Sequence, residues 1–282
     1  MNEVAGTCLV CGSAYSPDHR PGLLKCTNCG FVSADVKLND LELENLYSEK
    51  YFFGEEYFNY EQERDSLEIN FKKRIATLNE IARGANGVLF EIGCAYGYFL
   101  RMASQYFQNV RGIDISKEAV RHARSELGVE AEAGDYLSFE LRDKADFIVL
   151  WDVIEHLIRP DLFIEKAHAD LQSGGLIALT TGDIESLNAH IRGKNWRMIH
   201  PPTHLHYFSV RTMSMLLNRL GFEIVHVSHP GTSRSIRSIL YIILVLRLKW
   251  TWFYDKIVEW KIFGGDVTLN LWDIMFVVAK KR

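Results

Sequence analysis

The sequence predicts a doubly wound α/β sheet behind a small metal-stapled module. Three observations carry that prediction. From about residue 61 onward, short apolar runs of parallel-strand type alternate with amphipathic stretches of helical period. Val88-Leu89-Phe90 leads through the small residues Gly93, Ala95 and Gly97 into Tyr98-Phe99-Leu100. This is a strand, a tight turn and a helix, the geometry that brings main-chain N–H groups to a ligand. Two Cys-x2-Cys pairs, Cys8/Cys11 and Cys26/Cys29, lie within the first 29 residues.

Composition narrows the class. A chain of 282 residues holds one large domain, or a medium domain and a small module. With 48% hydrophobic and 24% charged residues it reads as a soluble globular protein. A net charge of −4 gives no reason to expect nucleic acid as a partner. The N-terminal stretch MNEVAGTCLVCG lacks the basic region and apolar core of a cleavable signal. The longest apolar run, from Ile239 to Leu246, ends at Arg247, well short of the roughly 18 residues that a span requires. The expectation is a cytoplasmic chain.

The cysteine pairs stand 14 residues apart, and each is followed by glycine, Gly12 and Gly30. Two thiolates on a tight turn, facing a second such turn, complete a tetrahedron around zinc. Zinc binding of this kind supplies about 10–16 kcal/mol of apparent folding free energy. A module of about 35 residues hardly folds without such help. Four thiolates leave no open coordination position, so the metal expected at Cys8, Cys11, Cys26 and Cys29 is structural. Redox-active pairs would need a thioredoxin-like surround, which is absent. The predicted zinc ribbon covers residues 1–36. An acidic, aromatic linker or cover follows over residues 37–60, and the larger domain over 61–282.

The turn at Gly93 discriminates between ligands. A dinucleotide site wants G-x-G-x-x-G, and its third glycine would fall at position 98, which is Tyr98. The chain reads E-x-G-x-A-x-G instead, with Glu91 two residues before Gly93. A carboxylate there repels a pyrophosphate and suits a ligand with a positive charge and a neutral ribose. This stretch resembles motif I of the class I S-adenosylmethionine-dependent methyltransferases, with Ala95 in place of the usual middle glycine. The resemblance implies a Rossmann-like, seven-stranded sheet whose last strand is antiparallel. It also implies that Glu91, Gly93, Cys94, Ala95 and Gly97 cradle the amino-acid end of S-adenosylmethionine. In relatives with a zinc ribbon the cover often carries tyrosines near the cofactor, which points to Tyr51 and Tyr57. Packing of the cover onto the core is the other reading of those aromatics.

The remaining elements follow in order. Leu67, Phe71, Ile75, Leu78 and Ile81 recur at helical spacing over about 61–85. A helix from the turn to about Phe107 precedes a strand ending at Asp114, which lies 21 residues beyond Gly93. A carboxylate at that distance accepts hydrogen bonds from ribose hydroxyls, each worth about 1.5–3 kcal/mol. Ile115 stands beside it, and Ser116 is the better cap for the helix Lys117 to Leu127. After a short strand, Val129 to Ala133, the resemblance implies that Asp135 holds the adenine amino group with Tyr136 beside the ring. Asp135 as a plain turn residue is the alternative.

Ala145 to Trp151 reads as a buried strand, and WDVIEHL resembles motif IV of the quinone and small-molecule O-methyltransferase subgroup. That resemblance places Asp152 at the strand's carboxyl end beside the departing methyl and His156 one turn further on, and Trp151 is counted among the cofactor-binding residues. His156 is either a base or substrate-orienting group, or a structural histidine. A helix from Pro160 to Leu171 and a strand from Leu176 to Thr181 come next. The loop after it reads Thr180-Thr181-Gly182-Asp183, where the family usually has T-T-P-N. His200, His204 and His206 then crowd into seven residues around Pro201-Pro202. No carboxylate lies within that stretch, so contact with substrate or entry to the helix Val210 to Leu220 outweighs a metal site. Phe222 to His229 and Trp272 to Ala279 supply the closing strands. Between them, residues 232–263 form an apolar, basic and aromatic insertion. It reads as a lid over the acceptor or a contact between copies of a homodimer, or alternatively as a peripheral membrane contact through 236–260, at the inner membrane.

The expected chemistry is in-line attack by a hydroxyl, or a carbon, on the sulfonium methyl. His156 leads as the base, with His204 and His206 behind it and Asp152 as the fallback. The ribbon is a known companion of this domain in bacterial sugar and polysaccharide methyltransferases. The expected acceptor is therefore a sugar, glycan or glycolipid precursor. A non-catalytic module that binds the cofactor and docks a partner through the ribbon is the competing reading.

Overall fold

The computed structural model describes residues 2–3, 6–38, 63–259 and 265–282. The N-terminal module runs through β1 (Asn2–Glu3), β2 (Tyr15–Pro17), β3 (Leu23–Cys26), β4 (Val32–Ala34) and β5 (Lys37–Leu38). The larger part opens on α1 (Arg64–Ile81), β6 (Val88–Ile92), α2 (Tyr98–Ala103), β7 (Asn109–Asp114), α3 (Lys117–Leu127) and β8 (Glu130–Ala133). It continues with β9 (Ala145–Trp151), α4 (Pro160–Asp170), β10 (Leu171–Gly182), α5 (Leu187–Arg192), β11 (His206–Tyr207), α6 (Val210–Arg219) and β12 (Phe222–Ser228). A hairpin of β13 (Thr232–Ser235) and β14 (Asp266–Leu269) brackets α7 (Ile236–Tyr241) and α8 (Thr251–Glu259), and β15 (Ile274–Lys281) closes the fold.

Seven strands form the central sheet in the order β12-β15-β10-β9-β6-β7-β8. β15 runs antiparallel to both neighbours, and the other pairings are parallel. The expected Rossmann-like sheet with an antiparallel last strand is therefore present. Successive side chains point to opposite faces and both faces are covered, which explains why β9 is apolar at every position but Asp146. Phe147, Val149 and Trp151 face a layer that contains Phe71, Ile75 and Leu78 of α1. Ile148 and Leu150 face the opposite layer, with Ile164 of α4 and Leu216 of α6. Each such side chain, once buried, contributes about 1.5–3 kcal/mol.

The structure moves some predicted boundaries. β10 begins at Leu171, inside the predicted helix, because Leu171 already pairs with Ala145. The ladder then breaks and resumes at Leu176 opposite Phe147, and Gly174 takes φ +75° between the two. α1 ends at Ile81 and α2 at Ala103, each about one turn early.

The ribbon is not a separate bead. β11 pairs antiparallel with β4, His206 opposite Ser33 and Tyr207 opposite Val32, so the larger domain supplies the fourth strand of the ribbon sheet. Arg219 donates to the carbonyl of Leu9 at 2.7 Å, and Phe31 packs on Phe208. The insertion is anchored just as specifically. Asn70 of α1 both donates to and accepts from the main chain of Ser233, at 3.0 and 2.8 Å. Glu63 accepts from Ser235 and Ser238. Beyond that anchor Trp250, Trp252 and Phe253 are exposed. Among the described residues no helix is long and apolar enough to cross a membrane.

Candidate active site at the carboxyl edge of the sheet

β6, β7 and β9 end side by side, and the predicted residues gather where they stop. Gly93 donates its main-chain N–H to the carbonyl of Ile113 at 2.8 Å, which folds the turn back onto β7. Gly93 and Gly97 take φ +77° and +80°. The sequence reading gave them room for a ligand; the structure gives a second reason. A Cβ on Gly97 would stand 2.8 Å from Val129 Cγ2 and 2.9 Å from the Cβ of Ala123. One on Gly93 would stand 2.5 Å from Val153 Cγ2. The glycines therefore serve close packing as well as conformation. Ala95 also adopts positive φ, +45°, a conformation that costs an L-residue roughly 1–2 kcal/mol. Cys94 points inward against Gly112 and not toward the cleft.

Asp114 ends β7 and locks the turn. Its Oδ2 accepts from the N–H of Ala95 at 2.8 Å, and its Oδ1 accepts from Ser116 at 2.9 Å. Each oxygen keeps a second lone pair. Burial raises its carboxyl above the ordinary range, against the pull of those two hydrogen bonds. Glu91 is 3% exposed, and its Oε2 has no hydrogen-bond partner among the described residues. Burial, and then the charge of Asp114, push its carboxyl well above the ordinary range, with Arg74 opposing. A buried carboxylate without a partner is costly. Its position at the strand ends suits a cationic ligand, so the residues present fit S-adenosylmethionine.

Ile115 is half exposed beside Asp114. Asp135 caps the turn that follows β8 by accepting from Leu137 at 3.1 Å, and stays exposed. Tyr136 departs from expectation. Its hydroxyl donates to Asp170 of α4 at 2.7 Å and its ring packs on Phe90, so it lies in the core rather than beside a ligand. Trp151 is buried against Phe99 and Phe276. Tyr51 and Tyr57 lie outside the described residues.

Asp152 sits at φ +56° at the tip of β9. Its carboxylate accepts from Thr180 at 2.9 Å and from Arg74 at 3.0 Å. Arg74 also lies 4.9 Å over the Trp151 ring. Nothing in the sequence pattern singles out Arg74, which sits on a helix recognisable only by its apolar stripe. The histidines separate into two groups. His156 donates Nδ1–H to Thr203 O at 2.9 Å, and its ring meets that of His204 at 4.5 Å. His204 donates Nδ1–H to Met198 O at 2.8 Å. Burial holds His156 down at about 4 and lowers His204 as well, so both imidazoles are neutral. His206 is turned to the ribbon. Ser33 lies 3.0 Å from its Nδ1, and its Nε2 faces Ile158 O at 3.3 Å.

The four ribbon cysteines carry free thiols. Their Sγ atoms lie within 4.8 Å of one another, with Cys8–Cys29 and Cys11–Cys26 each at 3.5 Å. A tetrahedron with metal–sulfur bonds of about 2.3 Å has edges of roughly 3.8 Å, so the donor set fits zinc. Gly12 and Gly30, at φ +75° and +80°, close the two knuckles onto the carbonyls of Cys8 and Cys26.

The sheet order, the antiparallel last strand and the acid pair at its carboxyl edge define a class I methyltransferase fold. The methyltransferase-domain family model matches residues 64–227, and the chain belongs to that family. Over 123 residues it is 25% identical to a ubiquinone biosynthesis O-methyltransferase of Bradyrhizobium diazoefficiens, a match covering 42% of this chain and 47% of that protein. The chain thus spans about half the length of the curated relatives it matches. The magnesium protoporphyrin IX methyltransferase of Synechocystis, solved with S-adenosylhomocysteine bound, aligns with a TM-score of 0.58 at 13% identity. That alignment covers 86% of this chain and 100% of the other. An S-adenosylmethionine-dependent methyltransferase of Archaeoglobus fulgidus aligns with a TM-score of 0.52 at 19% identity, over 83% and 97% of the two chains. At these identities the likeness shows the fold alone.

Proposed function

We propose that the chain transfers the methyl group of S-adenosylmethionine to a hydroxyl, or a carbon, of a small molecule. The observation that carries this is the buried acid pair. Glu91 has an unmet carboxylate oxygen where the cationic end of the cofactor would lie, and Asp114 keeps lone pairs for the ribose. The main chain from Gly93 through Cys94 and Ala95 to Gly97 would follow the amino-acid end. Ile115 and Asp135 would border the adenine, and Trp151 would form the floor. Zinc at Cys8, Cys11, Cys26 and Cys29 would hold the ribbon, which we take as residues 1–36, ahead of a cover over 37–60 and a catalytic domain over 61–282.

The cofactor supplies an activated methyl, so the protein has mainly to align and desolvate. Alignment alone lowers a barrier by about 7–11 kcal/mol. The acceptor's proton would leave toward His156 and His204, whose Nδ1 atoms are already committed to carbonyl oxygens. Asp152 is the less available group, because Arg74 and Thr180 engage its two oxygens. His206 serves the ribbon contact. The acceptor we favour is a sugar, glycan or glycolipid precursor, and an acceptor from ubiquinone biosynthesis is the second class. The exposed Trp250, Trp252 and Phe253 support a lid or a contact between copies; Lys249 and Lys256 nearby would also suit the surface of an inner membrane.

Calorimetry with S-adenosylmethionine, followed by turnover on nucleotide sugars, glycolipids and quinone precursors, tests the proposal. Binding that weakens with Asp114→Asn, together with methyl transfer to one acceptor class, is the expected result. Binding without transfer to any acceptor would favour a non-catalytic module, and no binding at all would end the proposal.

A further inference from the structure

The loop after β9 meets the segment before β11, and three metal-capable side chains come together there. Glu155, His156 and His204 each offer a ligand atom, and the three atoms lie within 4.8 Å of one another. All three residues are buried, at 2%, 8% and 5% exposure. Main-chain carbonyls fix both imidazoles. Thr203 O takes Nδ1–H of His156, and Met198 O takes Nδ1–H of His204. A carbonyl only accepts, so each Nδ1 carries a proton, and Nε2 is the ring atom through which a metal would be bound. Metal-ligating histidines are held in this way, by a carbonyl or carboxylate on the far nitrogen. The same segments are tied again by the N–H of Leu205, which donates to the carbonyl of Glu155 at 2.8 Å. The ring of His200 lies 3.8 Å from that of His204, beside the cluster.

Two imidazoles and one carboxylate form a three-donor set that leaves coordination positions open to a substrate. Zinc and related divalent ions of intermediate softness use such sets. This cluster stands apart from the four thiols of the ribbon in both residues and chemistry. The His-rich stretch lacks a carboxylate in sequence, and the fold brings one in from the end of β9.

We propose that Glu155, His156 and His204 bind a divalent transition-metal ion, of the zinc or manganese class, at the acceptor end of the cleft. The inference rests on the methyl-transfer reading for the ion's use and changes the part of His156 and His204 in it: their Nε2 atoms hold the ion, and the acceptor's proton goes to solvent instead of to them. An acceptor hydroxyl at an open position would bind the ion through oxygen and lose its O–H proton to solvent more readily. The oxygen then forms the new O–CH3 bond as the S–CH3 bond breaks, and the sulfur keeps the bonding pair as a neutral thioether.

The test uses the full chain with its ribbon already filled with zinc. Mn2+ is added and the free ion is counted by electron paramagnetic resonance, since the hard Mn2+ competes poorly for a thiolate site. The expected result is about one bound Mn2+ per chain, with affinity falling about tenfold or more in Glu155→Gln and in His204→Gln. Zinc content and cofactor binding should stay as in the parent. If a variant does not fold, the parent still decides the matter. Bound Mn2+ should broaden the ring proton resonances of His156 and His204 and spare those of His226. Neither Mn2+ nor a second zinc taken up at millimolar concentration, or uptake unchanged in both folded variants, overturns the site. A chain that takes up the ion yet binds no S-adenosylmethionine keeps the site and ends the functional reading. Cofactor binding without ion uptake does the reverse.

Discussion

Arg74 reaches across from α1 and places a guanidinium nitrogen 3.0 Å from Oδ2 of Asp152 at the tip of β9. The same group stacks over Trp151 and lowers the energy of a negative charge on Glu91. One cation thus ties the first helix to two acidic residues of the site. Arg74→Met should cost only about 1 kcal/mol of stability, because Asp152 is partly exposed and solvent screens the pair. Its larger effect should be on S-adenosylmethionine binding, with Glu91 harder to ionise. Thermal unfolding beside calorimetry separates the two, and an unchanged affinity would count against this role.

Glu91 gives cofactor binding a pH dependence of known sign. In the free protein, burial and Asp114 hold its carboxyl well above the ordinary range. A cationic ligand favours the ionised form, so binding releases a proton. Affinity should therefore rise with pH until the free protein itself has lost that proton, and flatten beyond. Glu91→Gln should remove the slope and weaken binding by the worth of a charge-assisted hydrogen bond, about 1.5–3 kcal/mol. Titration in two buffers of different ionisation heat measures the proton directly.

Asp273 anchors the segment between β10 and β11. Its carboxylate accepts from Asn188 at 2.7 Å, and from Trp196 and Arg197 at 2.9 Å each. Burial raises its pKa, but the charge of Arg197 and these hydrogen bonds outweigh that and hold it below the usual carboxylate range. A depressed folded pKa contributes stability above the unfolded value of about 3.9 and loses it as pH falls through the folded one. Asp273→Asn should cost about 1–3 kcal/mol at neutral pH. It should also flatten the acid limb of the unfolding curve, measured by denaturant melts between neutral pH and acid.

Removing zinc should reach beyond the ribbon. β11 leans on β4, and His206 joins Ser33 to Ile158. A strong chelator should release the amide of Tyr207, which lies opposite Val32, to hydrogen exchange and lower the unfolding temperature of the whole chain. Exchange confined to residues before Val36 would show that the two parts are independent.

The sequence made some of this legible and hid the rest for identifiable reasons. Glu91, Gly93, Gly97 and Asp114 were readable because strand, turn and strand lie close in sequence. Tyr136 was misplaced because its hydroxyl finds Asp170, a partner 34 residues away on another element. Arg74 was invisible because its pairing with Asp152 spans 78 residues. Glu155 stood in plain view within WDVIEHL, yet its nearness to His204 exists only once the loop after β9 meets the segment before β11. The two-residue strand β11 carries too few residues for any periodicity to reveal.

The pairing of β4 with β11 also sets a schedule for synthesis. Ser33 and His206 are 173 residues apart, so a ribbon emerging early from the ribosome has one bare edge until its last strand is made. At about 5–20 residues per second, that wait lasts on the order of 10–35 seconds. During that interval an unpaired β edge with Phe31 beside it is open to wrong partners. Expression yield should then depend on translation speed and on early zinc supply more than the stability of the finished protein would suggest.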